Sequence, residues 1–122
     1  MPAAPRVLVL EDEPLIAVMV RDWLTELGCD PVGPAHTVPS ALAFIQGGLL
    51  DGAVLDVTLG DQDCAAVADA LRQRSVPFAF ATGGEVETWS ARYPDVPALT
   101  KPYDFESLRA LLSELLGTHA RS

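Results

Sequence analysis

AVLDVTLGD (residues 53–61) carries three apolar residues into a single acid, Asp56, and polar residues crowd in directly after it. A carboxylate at the tip of a buried strand is costly unless something compensates it. The stretch therefore predicts a short buried strand. It also predicts that groups from elsewhere in the chain converge on Asp56 to offset its charge.

Outward from Asp56, apolar runs of the same kind recur with helical patterns between them. RVLVL (6–10) reads as a strand buried on both faces. PLIAVMVRDWLTELG follows as a helix: Leu15, Ile16, Met19, Val20, Trp23, Leu24 and Leu27 fall at helical spacing, Pro14 sits in the first turn and Gly28 just past the end. CDPVGPA (29–35) is a weak second strand interrupted by prolines, and VPSALAFIQGG (38–48) is a helix closed by glycines. Strand GAVLD (52–56), helix QDCAAVADALRQR (62–74) and strand PFAFAT (77–82) come next. EVETWSARYP (85–94) gives only a short helical pattern, PALT (97–100) a fifth strand, and DFESLRALLSELLG (104–117) an amphipathic helix with Asp104 as N-cap and Gly117 as stop. Strand–helix order repeated five times, with strands this apolar, predicts an α/β fold: a doubly wound parallel sheet with helices on both faces. In such sheets the ligand site lies at the carboxyl ends of the strands, near the switch in strand order.

Those ends are where the polar residues fall. Glu11, Asp12 and Glu13 follow the first strand, Asp56 ends the third, Thr82 ends the fourth ahead of Gly83 and Gly84, and Lys101 follows the fifth ahead of Pro102. Lys101 is the single lysine in a chain with seven arginines. Asp12 and Asp56, with Glu11 nearby, form a cluster of like charges; at an effective dielectric of ~20, two such charges ~4 Å apart repel by roughly 4 kcal/mol. A divalent cation removes that repulsion, and hard oxygen ligands with open water positions suit Mg2+. A metal, an ammonium, a hydroxyl and a glycine backbone are what a transferring phosphoryl group needs around its oxygens. A carboxylate can itself be the nucleophile and form an acyl phosphate. Asp56, central in the sheet, is the candidate for that role.

Composition narrows the classes. The 122 residues are enough for one domain, read here as residues 1–122 with a core of about 5–117, and leave no room for a separate DNA-binding or catalytic domain. A net charge of −9 argues against a nucleic-acid partner. No apolar run approaches the ~20 residues that span a bilayer. The N-terminus has no signal-peptide pattern, so the expected location is the cytoplasm. Cys29 and Cys64 read as reduced, semi-buried thiols, and His36 and His119 as surface residues with no obvious partner.

The assembled motifs resemble the receiver domain of two-component response regulators over about residues 5–117. VLVLEDEPLI matches that family's first strand and acidic pair, AVLDVTLGD its phosphoacceptor strand, FAFATGG its hydroxyl strand, and LTKPYD its lysine–proline turn. The resemblance implies a flavodoxin-like (βα)5 fold with strand order 2-1-3-4-5 and a cis Lys101–Pro102 bond. It implies that Asp56 accepts the phosphoryl group, that Asp12 and Asp56 bind Mg2+ directly with Glu11 acting through water, and that the Thr58 carbonyl completes the protein ligands. It further implies that Thr82, Lys101 and the Gly83 N–H contact the phosphoryl group. The partners would be a sensor histidine kinase or a histidine phosphotransferase plus a downstream protein, with no catalysis beyond self-phosphorylation and slow self-dephosphorylation.

PFAFATGG (77–84) is also similar to the signature of the atypical FATGUY subclass, often stand-alone receivers paired with HWE-type kinases, although Glu85 stands where that signature has an aromatic residue. Most receivers carry Tyr or Phe three residues before the lysine; this chain has Ala98. The switch then has to run elsewhere. Residues 83–93, with Val86 and Trp89 as their large apolar side chains, predict a marginal helix that is mobile before phosphorylation and orders with it. Trp89 itself fits either packing or partner contact. Two other classes compete: a haloacid-dehalogenase-like phosphatase, which needs a second acid at the position of Thr58, and a non-phosphorylated pseudo-receiver, which would lack an acid or the lysine.

Overall fold

The computed structural model describes residues 4–59, 62–84 and 86–117; Glu85 and His119 lie outside the described residues. Strands β1 (Arg6–Leu10), β2 (Asp30–Ala35), β3 (Gly52–Asp56), β4 (Phe78–Thr82) and β5 (Ala98–Thr100) pair in parallel in the order β2-β1-β3-β4-β5. This is the predicted order. β1 and β3 lie side by side with Leu10 opposite Leu55, which brings the residues after Leu10 next to Asp56.

Side chains alternate along each strand, so each face has its own core. Val7, Val9, Val54 and Ala79 face α1 (Pro14–Glu26) and α5 (Phe105–Leu116), where Val20, Leu24, Leu108 and Leu112 are buried. Leu8, Leu10, Leu55 and Phe80 face α2 (Val38–Gly47), α3 (Ala65–Gln73) and α4 (Val86–Arg92), meeting Ile45, Leu71 and Trp89. Local signals set the helix ends. Asp104 caps α5 by accepting from the Ser107 N–H at 2.8 Å, Thr37 caps α2 by accepting from Ser40 at 3.2 Å, and Gly28 turns the chain after α1 at φ +87°.

Several expectations need correction. The helix expected from residue 62 begins at Ala65. Gln62–Asp63 instead pair antiparallel with Thr58–Leu59 in a two-stranded ribbon, and the Asp63 carboxylate accepts from the Ala65 N–H at 2.9 Å. The prolines of β2 are tolerated because β2 is an edge strand. Gly33 is required there: it sits at φ +97°, and a Cβ would lie 2.6 Å from the Ala35 nitrogen. Both thiols are free, but both are buried rather than half-buried, and burial pushes the pKa of Cys64 up to about 12.

The segment expected to be marginal carries a formed helix. Trp89 is buried and stacks on Tyr93, with ring centroids 6.0 Å apart and planes at 12°; both rings lie against Phe80, at 5.0 and 5.3 Å. Trp89 is thus a packing residue. Tyr93, just past the helix end, was the missing weight in the sequence reading. Its hydroxyl donates to Asp69 of α3 at 3.1 Å, and the Arg72 guanidinium lies 5.5 Å from its ring centre while paired with Asp95 at 3.2 Å. Phe80 is opposite Ala98 across β4 and β5, so the small residue on β5 sits beside an aromatic group built largely from α4 and its end.

This arrangement predicts that Tyr93 anchors α4. Tyr93→Phe, which removes only the bond to Asp69, should lower unfolding free energy by about 0.5–1.5 kcal/mol. Tyr93→Ala should lower it by about 3 kcal/mol or more. Urea unfolding followed by circular dichroism measures both.

Candidate functional site

The β1–β3–β4–β5 edge gathers the charged residues. Glu11 leaves β1 buried, and Asp56 ends β3 almost as buried, with 3% and 5% of their surfaces exposed. Lys101, one residue past β5, reaches both. Its Nζ lies 3.1 Å from Glu11 Oε1 and 3.3 Å from Asp56 Oδ2. The ammonium therefore has two carboxylate partners already, which the sequence reading did not assign to it. The peptide bond to Pro102 is cis, as the family resemblance implied.

Backbone donors complete the carboxylates' environment. The Thr58 N–H donates to Asp56 Oδ1 at 3.2 Å, and the Glu13 N–H donates to Glu11 Oε2 at 3.2 Å. Among the described residues, every buried side-chain nitrogen and oxygen has a hydrogen-bond partner. Asp12 is exposed, and one carboxylate oxygen from each of Glu11, Asp12 and Asp56 lies within 4.8 Å of the others. A cleft of about 650 Å3 opens over this group, lined by Asp12, Asp56, Thr58, Gly83, Gly84 and Lys101. Glu11 is not part of its lining.

Thr82 is fully buried at the end of β4, and its carbonyl accepts from the Lys101 N–H at 2.8 Å. Its hydroxyl accepts from the Gly84 N–H at 3.4 Å. Thr82 thus stands behind the cleft, while Gly83 is in its wall. His36 is exposed, as expected, yet it has a partner: its Nδ1 lies 2.9 Å from the Glu11 carbonyl oxygen. A lone histidine in a proline-broken segment gave no sign of that contact.

The electrostatics follow from burial. Burial raises the Glu11 pKa from 4.5 to about 6, with the neighbouring Asp56 carboxylate adding to the rise. Burial also raises Asp56, against the pull of Lys101 and the Thr58 N–H. For Lys101 burial works downward, but the two carboxylates outweigh it and raise the pKa. One ammonium against two buried carboxylates leaves negative charge uncompensated, and Asp12 adds more. The cluster is therefore built to accept further positive charge from the cleft side.

Known proteins share this architecture. SdrG from Sphingomonas melonis Fr1 is 44% identical, with a TM-score of 0.82 over 95% of this chain and 99% of that one. SdrG from Pseudomonas melonis Fr1, in its BeF3-activated conformation, is 43% identical at a TM-score of 0.79, over 95% and 99% of the two chains. The PhyR response regulator REC domain of Erythrobacter litoralis is 30% identical, with a TM-score of 0.82 over 93% of this chain and 91% of that domain. This chain belongs to the response regulator receiver domain family. No protein-family model matches it. The receiver is also 30% identical to the phyllosphere-induced regulator PhyR of Methylorubrum extorquens over 93% of its own length and 44% of that protein's, so it spans less than half of this curated relative. Its place is in two-component signalling, and no described helix is long and apolar enough to cross a membrane.

The raised pKa of Glu11 fixes a sign. The folded protein holds the Glu11 proton more tightly than the unfolded chain does, so this contribution to stability is fully present below about pH 4.5 and is lost as pH rises through about 6. Metal-free receiver should therefore lose stability between pH 4.5 and 7, by about 2 kcal/mol for the full Glu11 shift. Glu11→Gln should remove most of that loss. Urea unfolding in chelator across this range measures it.

Proposed function

We propose that this receiver accepts a phosphoryl group on Asp56 from a phosphohistidine donor, with Mg2+ held in the acidic cluster, and signals through the resulting change in charge. The observation that carries the reading is a division of labour among the three acids. Glu11 meets the ammonium but is kept out of the cleft, and Asp12 is exposed. Asp56 both lines the cleft and contacts Lys101.

The cluster fits Mg2+: three carboxylates can each offer one oxygen within 4.8 Å of the others, and the open cleft leaves room for the water ligands that this ion keeps. Asp12 and Asp56 would hold it directly, Glu11 through water, and the Thr58 carbonyl would complete the protein ligands. Bound there, the ion supplies the charge that offsets these carboxylates and the oxygens of the transferring group. An Asp56 carboxylate oxygen attacks phosphorus in line while the P–N bond of the donor breaks. The departing imidazole keeps the bonding electron pair and takes a proton from solvent. Lys101 and the Thr82 hydroxyl then face the new phosphoryl oxygens, and the Gly83 N–H reaches them from the cleft wall.

The SdrG likeness supports this reading, because a BeF3-activated conformation is described for that protein. PFAFATGG and Ala98 support membership of the FATGUY subclass, with a histidine kinase of the HWE type or a histidine phosphotransferase as donor. A dehalogenase-like phosphatase finds no support in the site, since Thr58 stands where its second acid would be.

Incubation with a small acyl-phosphate donor and Mg2+, read by intact mass, should add one phosphoryl group to the wild type and none to Asp56→Asn. A phosphorylated Asp56→Asn protein would overturn the assignment. Asp12→Ala should weaken Mg2+ binding by at least about 10-fold, through loss of a ligand and its charge. Lys101→Ala should still bind Mg2+ and take the phosphoryl group, but lose the NMR shift changes that phosphorylation produces in the wild type away from the site.

A further inference from the structure

Glu11 and Asp12 face opposite requirements. Glu11 has to stay buried against Lys101, while the next residue has to present its carboxylate on the exposed side of the same cluster. The peptide that joins them therefore has to be held in one orientation. Its carbonyl is that of Glu11.

The edge strand holds Glu11 twice. The Glu11 N–H donates to the Ala35 carbonyl at 2.9 Å, which continues the β1–β2 ladder beyond its last paired residues. The chain then leaves β2, because Thr37 is committed to capping α2. At that point the His36 ring reaches back, with Nδ1 2.9 Å from the Glu11 carbonyl oxygen. A carbonyl only accepts, so Nδ1 carries the proton in this contact. Both the Nδ1–H neutral form and the imidazolium can donate it, so the contact does not depend on which is present.

We propose that His36 is a positioning residue for the metal pocket: its ring adds a side-chain rung to the β1–β2 ladder and fixes the Glu11–Asp12 peptide, so that Glu11 points inward and Asp12 toward the cleft. The inference rests on the reading of this cluster as an Mg2+ pocket. His36 does not touch the ion's place or the reacting atoms. It acts through the backbone of Glu11, as groups outside a metal's ligand set orient the ligands themselves. The rest of the turn leans on the same peptide. The Glu13 N–H donates to the Glu11 carboxylate, and the Glu13 carbonyl accepts from Ala17 at 2.9 Å in the first turn of α1.

The test compares His36→Ala with His36→Asn. An asparagine amide nitrogen is attached to Cγ, as histidine Nδ1 is, so Asn keeps the donor in the same place while Ala removes it. Because His36 is exposed, both variants should fold. In metal-free protein, ring 15N spectra should show Nδ1 protonated in the neutral wild-type ring. The Asp12 amide, which belongs to the peptide in question, should shift in His36→Ala and return toward wild type in His36→Asn. Titrated with Mg2+ alone, His36→Ala should bind about 2- to 10-fold more weakly, the scale of one lost hydrogen bond, and His36→Asn within about twofold of wild type. An unmoved Asp12 amide in His36→Ala, an Nε2-protonated ring, or an unchanged Mg2+ affinity would overturn the proposal. Wild-type protein that binds no Mg2+ would instead overturn the proposed function, and the amide and ring measurements would still decide whether His36 orients this peptide.

Discussion

The ammonium of Lys101 is shared by two buried carboxylates, Glu11 at 3.1 Å and Asp56 at 3.3 Å, and the order of the site depends on that sharing. Neither acid can lie at the end of a buried strand without a cation, since isolated buried charge is among the most expensive features a fold can contain. One cation for two anions is enough to seat them and too little to neutralise them. The shortfall shows in Glu11, whose pKa is held near 6 by burial and by Asp56. A pocket left with negative charge, open on one side, is poised for whatever positive charge the cleft admits.

The same sheet couples this edge to the aromatic group under α4. Phe80 and Thr82 are two residues apart on β4, so their side chains fall on one face. Phe80 packs on Trp89 and Tyr93, and Tyr93 bonds to Asp69 of α3. Where most receivers place an aromatic residue on the last strand, this chain has Ala98 opposite Phe80, and the aromatic mass comes from α4 and its end instead. Thr82 therefore shares its face of β4 with the ring that packs on Trp89 and Tyr93.

How much of this was legible in the chain differs by feature. The five strand–helix repeats, the sheet order implied by the receiver motifs, the caps at Asp104 and Gly28, and the convergence of Glu11, Asp12, Asp56, Thr82 and Lys101 on one edge could be read directly. Apart from the sheet order, which the resemblance to receivers implied, these are consequences of local pattern: apolar runs, capping chemistry, and the rule that strand ends of a parallel sheet share an edge. The start of α3 and the ribbon at Thr58–Leu59 and Gln62–Asp63 could not, because it is the pairing of Gln62–Asp63 with Thr58–Leu59, and no break in the sequence pattern, that delays the helix to Ala65. Tyr93 was missed for a related reason. It lies within the 85–94 pattern, four residues after Trp89, but its partners Phe80 and Asp69 belong to other elements, and no local pattern names them.

Sequence alone determined which groups are present at the site and why an acid such as Asp56 would need them. Residue type and strand-end position suffice for that, since both follow from spacing along the chain. Only the tertiary structure decided who pairs with whom: that Lys101 serves Glu11 as well as Asp56, that Glu11 is shut out of the cleft while Asp12 is exposed, and that the His36 ring meets the Glu11 carbonyl. Those contacts join residues 25, 45 and 90 positions apart. Hydrogen bonds act over about 3 Å, and no local pattern reports which distant side chain will close that gap once five strands have set the distances.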